Sequence, residues 1–277
     1  MIHLANKTYK TTRPYTILCG QKTIYGKQSI CYELGAVHAR ANAENFILPD
    51  TREKLLLNDF IRSEKKSGLF QKMDLVFIFG YNNIELSGFS RINLKKPEGN
   101  LATVYGGMSY IAGGWKGNGT DGYMGTGFNP AIGNNNYTIN NACRLSVIYT
   151  SGGGAIDGIN GTTHNRMFLN SSASHRINST TGLTLGVSMS GTGLKMIAKN
   201  NSAESYFINK NVLTTLAQPS ATVYNGEQIL FKSGAANFST ACQSAYMAGA
   251  AINFQESQSL RANFNNLLTR LGLNANA

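Results

Sequence analysis

The side chains best placed to do chemistry in this sequence are its carboxylates, a lone tryptophan in a glycine-rich run, and a glycine motif of nucleotide-binding form. Hydrolysis of a glycosidic bond needs two carboxyl groups flanking the sugar linkage, roughly 5–9 Å apart. On one strand such a pair sits at i and i+2 or i+4. Between residues 100 and 250 the acids are Asp121, Asp157, Glu204 and Glu227, and no two have that spacing. No Glu-x-Asp-x-x-Glu run occurs either. Hydrolysis is disfavoured, although distant acids can meet in a fold. Gly117-Asn118-Gly119-Thr120-Asp121-Gly122 fits G-x-G-x-x-G, but a dinucleotide site needs a strand before the motif and a helix after it. The residues after the motif are rich in Gly and Thr and lack helical periodicity. The run reads as a loop between strands, and no cofactor is expected.

Trp115 lies between Gly113-Gly114 and Lys116-Gly117, with Tyr110 and Tyr123 near it in sequence. An aromatic ring in such a loop can stack on a sugar face while Asn118 and Asp121 bond its hydroxyls. These five residues are the candidate glycan contacts. The competing reading, a core Trp at a strand edge, is favoured because Trp is usually mostly buried. Asp121 with Asn118, or Asp157 with Asn160, offers oxygen ligands of the kind Ca²⁺ takes. Neither segment has the acid density of a tight site, an Asx-turn is the stronger reading, and no metal is expected. His3, His38, His164 and His175 have no triad-like company, even though Ser171 lies close after His164. Cys19, Cys31, Cys143 and Cys242 show no C-x-x-C spacing and no histidine at ligand spacing. Free, buried thiols are expected, with a hairpin pairing of Cys19 and Cys31 left open.

Composition limits the classes further. Among 277 residues only 14% are charged, well under the usual quarter. Polarity comes from Asn, Ser, Thr and 30 glycines instead, which suit turns and hydroxyl-rich surfaces. The net charge is +11. It implies contact with an anionic polymer or an acidic partner protein, or solubility alone. The basic residues gather towards the N-terminus (Lys7, Lys10, Arg13, Lys22, Lys27, Arg40, Arg52, Lys54, Arg62, Lys65, Lys66, Lys72). No nucleic-acid-binding signature accompanies them, so nucleic acid is a minor expectation. Met1 to Lys10 has no apolar core, so no signal peptide is expected. No run approaches the ~18 apolar residues of a membrane span.

The elements that must position these residues are mostly short. Residues 1–48 read as irregular and extended, with Tyr9, Tyr15, Ile17, Tyr25 and Tyr32 interrupted by glycines, either short strands with turns or an arm that pairs with another subunit. Asp50 is a good N-cap with Glu53 placed for a capping box. Leu55, Leu56, Phe60 and Ile61 then form a helical stripe, and Gly68 sits where a helix ends. The apolar run Met73–Gly80 predicts a strand buried on both faces. From 100 to 255 no long helix is expected. Short apolar segments (Leu101–Tyr105, Arg144–Tyr149, Met167–Leu169, Leu183–Met189, Leu194–Ala198, Glu204–Ile208, Ala221–Tyr224, Gln228–Lys232) recur about every ten residues, as in an antiparallel sandwich. A second helix, Ser257–Leu271, carries Leu260, Phe264, Leu267, Leu268 and Leu271 on one face. The expectation is one mainly β sandwich over 49–277 with two amphipathic helices outside its sheets.

Certain short motifs occur in a fixed order. They are Gly68, Phe70, Lys72, Met73 and Asp74 around the first core strand, then Asn93-Leu94-Lys95-Lys96-Pro97, then Tyr123-Met124-Gly125-Thr126-Gly127-Phe128-Asn129-Pro130, the Asn-rich turn Gly133–Asn136, and the ending Asn266-Leu267 to Gly272. In this the chain resembles a group of bacteriophage and prophage tail, fibre and other virion proteins, over about residues 50 to 275. The resemblance implies a concanavalin A-like jelly-roll β-sandwich and residence in the virion, while the sparse acids and unsupported glycine motif add an expectation of no enzymatic activity and the lack of a signal peptide one of synthesis in the host bacterial cytoplasm. Its implied partners are other virion proteins and further copies of itself. Residues 1–48 fall outside the match, and composition alone suggests an arm that anchors the subunit through Tyr9, Arg13, Tyr15, Ile17, Tyr25 and Tyr32. The alternative is an adhesin that contacts host cell-surface glycan through loops of the jelly roll. A polysaccharide-degrading enzyme is the weaker third reading.

Overall fold

The computed structural model of the protein describes residues 18–19, 22–23, 30–99, 101–159, 162–169, 174–184 and 189–274. The chain divides into two units, 1–30 and 31–277. In the first, Leu18–Cys19 pairs antiparallel with Lys22–Thr23. The expected assembly contacts Tyr9, Arg13, Tyr15, Ile17 and Tyr25 lie outside the described side chains.

The second unit opens with a helix where the sequence predicts extended chain. Tyr32–Ala43 is α-helical, because Leu34, Val37 and Ala41, at i, i+3 and i+7, make a stripe that packs with no exposed area. Tyr32, a proposed anchor, instead begins this helix and is exposed. Cys31 precedes it as a free thiol, as Cys143 and Cys242 also are.

The two other long helices match expectation closely. Thr51–Lys66 is capped by Asp50, whose side chain accepts from the Glu53 N–H while Glu53 returns a bond to the Asp50 N–H. Gly68 comes after it in the left-handed region at φ 81°. The last helix, Phe254–Arg270, starts three residues before the apolar stripe suggests, because Asn253 and Glu256 form a second capping box there.

Two antiparallel sheets make the jelly-roll β-sandwich. The large one runs Val212–Ala217, Glu204–Asn209, Gly193–Lys199, Ala142–Thr150, Cys242–Gly249, Gly114–Lys116, Ser109–Ile111, with Met73–Ile78 paired to the second half of Cys242–Gly249. The small one runs Thr162–Phe168, Ala155–Ile159, Gln228–Leu230, Tyr123–Gly125, Thr103–Tyr105. Ala221–Tyr224 is not a strand. Its backbone turns aside to bond the Asn178 carbonyl through Ala221 N–H.

The period of two assigns each large-sheet residue to a face. Val76, Ile78, Cys143, Leu145, Val147, Leu194, Met196, Ala245 and Met247 pack against the three helices. The alternate positions meet the small sheet: Leu75, Phe77 and Tyr246 reach Met124 and Leu230, and Ile148, Ile197 and Phe207 reach Ile156 and Met167. The result is three layers, helices over large sheet over small sheet.

Candidate functional site

The motif residues spend their polar atoms on the scaffold. The Asp74 carboxylate accepts the N–H groups of Asn136 (3.0 Å) and Tyr137 (2.8 Å), which pins the Asn-rich turn to the first core strand. Asn93 Oδ1 accepts from Val76 N–H and Lys95 N–H, each at 3.0 Å. Thr126 Oγ1 donates to the Gln228 carbonyl, and Asn129 Oδ1 accepts from Ala131 N–H at 3.0 Å.

Four of the five candidate glycan contacts fall in one stretch of tight crossings, and the fifth opens the next strand. The chain leaves the small sheet after Tyr105, builds Ser109–Ile111 and Gly114–Lys116 in the large sheet, and returns to the small sheet at Tyr123. Backbones approach closely here. A Cβ on Gly114 would sit 1.9 Å from the Gln243 carbonyl oxygen, and one on Gly106 2.4 Å from that of Asp121. Only glycine fits either place, at φ 136° and 62°.

Trp115 takes the core reading. It is 7% exposed, its Nε1–H donates to Ser90 Oγ (3.0 Å), and its ring lies 5.1 Å from that of Tyr110. The Tyr110 hydroxyl donates to the Phe79 carbonyl at 2.8 Å, and burial pushes its pKa up. The Trp115 ring is largely covered, and Tyr110 is half-buried against it. What remains open of Trp115 lines a cleft with Phe46, Gly88, Arg91 and Val104.

Asn118 and Asp121 form the Asx-turn. Asn118 Oδ1 accepts from the N–H groups of Thr120, Asp121 and Gly122, and Asp121 Oδ1 accepts from Asn118 Nδ2 and Gly107 N–H. The Asn118 amide is the main cause of a lowered Asp121 pKa. Among the described residues no group of three His, Cys, Asp or Glu could hold a metal ion.

Tyr123 remains accessible, and the structure gives it company that the sequence hides. Tyr105, 42% exposed, is its register partner, and the two rings stack at 4.6 Å and 12°. Lys232 Nζ lies 4.3 Å from the Tyr123 ring centroid and 5.2 Å from that of Phe238. Tyr105, Tyr123, Lys232 and Phe238 make a strip of rings with one cation held between the last two. The period-two signal could have placed Tyr105, because Val104 turns towards the core. Nothing local points to Lys232 and Phe238.

Two more of the acids that hydrolysis would need are engaged in structural bonds. Asp157 has no exposed area, accepting from Arg144 Nη1 (2.8 Å) and from the Tyr246 hydroxyl (2.7 Å). Glu227 accepts from Gly127 N–H at 2.7 Å. Glu204 stands exposed on the second strand of the large sheet. Of the histidines, His175 is buried and receives the Phe168 N–H on Nδ1. His38 lies beside Phe89, its pKa pushed down to about 4 by burial and then by Lys54. His3 and the His164 side chain lie outside the described residues.

No known family and no curated protein matches the sequence. Solved structures do match in part. Domain 4 of AbnA, an extracellular arabinanase from Geobacillus stearothermophilus, in complex with arabinotriose, aligns at 10% identity and a TM-score of 0.42 over 68% of this chain and all of that one. The botulinum neurotoxin serotype D binding domain aligns at 10% identity and 0.46, over 70% of this chain and 52% of that one. Trypanosoma rangeli sialidase in complex with sialic acid aligns at 11% identity and 0.42, over 77% and 40%. The likeness is one of strand arrangement.

Proposed function

We propose that this chain is a non-enzymatic structural protein of a bacteriophage virion, a tail, fibre or capsid-associated subunit that presents a jelly-roll domain and joins the particle through its N-terminal segment. The observation that carries this reading is the use made of the motif residues. Asp74, Asn93, Thr126 and Asn129, which bear the resemblance to virion proteins, tie turns to strands. Asp121, Asp157 and Glu227 are held in structural bonds as well. Residues so committed support a rigid display body over a catalyst.

A second reading, a host-surface glycan adhesin, is favoured by the strip Tyr105, Tyr123, Lys232 and Phe238. Rings on an outward sheet face can stack on sugars, and a lysine among them suits an acidic one.

The deciding experiment is the protein content of purified particles from a lysogen or infection that produces the chain. The chain should be present in stoichiometric amounts. A version lacking residues 1–30 should fold and stay out of the particle, since the helix Tyr32–Ala43 belongs to the folded body. Absence of the full chain from particles overturns the reading. Retention on a host glycan column, lost in Tyr105→Ala and without turnover, would select the adhesin instead.

A further inference from the structure

The large sheet ends, among the described residues, in a strand that nothing covers. Val212–Ala217 is its outermost strand and pairs on one side only, with Glu204–Asn209, in unbroken register over all its residues. Its sequence, Val-Leu-Thr-Thr-Leu-Ala, holds no charge, proline or glycine. Val212 and Leu213 are 49% and 45% exposed. Native edges of this length are normally blunted, because a free row of N–H and C=O groups is a template for another strand. The other described edges of the two sheets are covered, short or irregular, and Met73–Ile78 is covered by Asn93 and Leu94, which bond Val76 on its open side. Thr103–Tyr105 and Ser109–Ile111 have three residues each. Thr162–Phe168 is irregular against its neighbour and bridged on through Arg166 to Arg176.

The turn before the strand fixes which groups point outward. Lys210 and Asn211 connect Asn209 to its register partner Val212, with Lys210 at φ 57°. In a two-residue hairpin of this kind the closing pair is hydrogen-bonded, and bonded and non-bonded pairs alternate from there. Val212, Thr214 and Leu216 therefore direct their backbone groups inward. Leu213, Thr215 and Ala217 direct theirs to the open side.

We infer that this edge joins a second copy of the chain, antiparallel, about a two-fold axis at Thr215. Thr215 bonds its own counterpart across the axis, and Leu213 of each copy bonds Ala217 of the other, which continues the large sheet through both molecules. Charge selects a second copy over a foreign strand. The antiparallel arrangement brings the Glu204 end of one copy alongside the Lys210 turn of the other, acid to base. The chain carries a net charge of +11, so two copies meet with least repulsion along an uncharged strip. A two-fold contact of this kind is self-complementary and closed, which keeps an exposed edge from growing into fibres.

The test is sedimentation equilibrium of the full chain over a range of concentrations. The expected result is a mass that rises to twice the monomer's and no further. Thr215→Pro removes an N–H that no internal ladder uses, a change an edge strand tolerates. It should keep the melting curve of the parent and weaken association by at least about tenfold. Leu213→Lys should do the same through charge, and it decides the matter if the proline variant fails to fold. A chain that stays monomeric throughout, or a dimer that neither variant weakens, overturns the inference.

Discussion

The two faces of the large sheet are built from the same strands on opposite physical terms. Towards the helices, Ala142–Thr150, Gly193–Lys199 and Cys242–Gly249 bury Cys143, Leu145, Val147, Leu194, Met196, Ala198, Ala245 and Met247 in one apolar cluster. One residue along, towards the small sheet, the same strands bury Arg144, Ser146, Lys195, Lys199 and Gln243. Arg144 pairs with Asp157, and Ser146 Oγ bonds Gln243 Oε1. Lys195 Nζ is satisfied by the Ser190 and Thr192 carbonyls and by Asn209. The helix face is held by apolar area, which any side chains of suitable volume supply. The sheet face adds to its apolar contacts directed bonds that exist in one register only, and these help determine which strands pair and how. Such a face is costly to damage, because a lost partner strands a charge away from water.

The sharpest way to break this contrast is Asp157→Asn. It leaves the Arg144 guanidinium without its counter-charge at 0% exposure and should cost roughly 3–5 kcal/mol of unfolding free energy, read by denaturant titration. Replacing the pair together, Arg144→Met with Asp157→Leu, should recover most of that loss. If Asp157→Asn costs less than about 1 kcal/mol, the sheet face is not electrostatically committed. Next in size comes Leu145→Ala, one residue from Arg144 and facing the helices. It should cost about 2–4 kcal/mol through lost transfer energy and a cavity. Its effect should be the same at low and high salt, whereas the Asp157 variants change the pH dependence of unfolding.

The same contrast explains what could be read in the sequence. Thr51–Lys66 was legible because its start and stop are local: Asp50 with Glu53 at one end, Gly68 at the other. Tyr32–Ala43 was not, since its first N–H groups have no local cap. The Cys31 N–H is taken by Asn58 Oδ1, 27 residues on, and Gly35 interrupts the pattern. The strand Met73–Ile78 could be seen because both its faces are buried. Val212–Ala217 is hidden because its order, Val-Leu-Thr-Thr-Leu-Ala, has no apolar–polar alternation, although Thr214 and Leu216 are half-buried in turn. At the candidate site, residue type alone pointed to Trp115. Its fate depended on Ser90, 25 residues earlier, which takes the indole N–H. The strip beside Tyr123 needs Lys232 and Phe238 from a hairpin more than 100 residues away, a pairing that only the sheet order supplies.

The smallest expected effect tests a buried carboxyl between two of the helices. Glu64 of Thr51–Lys66 has no exposed area and faces Asn263 of Phe254–Arg270, whose amide donates to Glu64 Oε1 at 2.6 Å. Burial pushes its pKa up to about 7, with the Asn263 bond acting the other way. A carboxyl whose folded pKa lies above its unfolded value of 4.5 binds its proton more tightly when folded. Stability is then fullest below the unfolded value and falls as pH rises through the interval to about 7. Glu64→Gln keeps the shape and the contact with Asn263 but has no charge to bury. It should match the parent near pH 4 and exceed it above pH 7 by on the order of 1–3 kcal/mol, measured as urea midpoints at the two pH values. A flat difference across that range would mean that Glu64 is ionised at little cost, and that the helix face tolerates charge as the sheet face does.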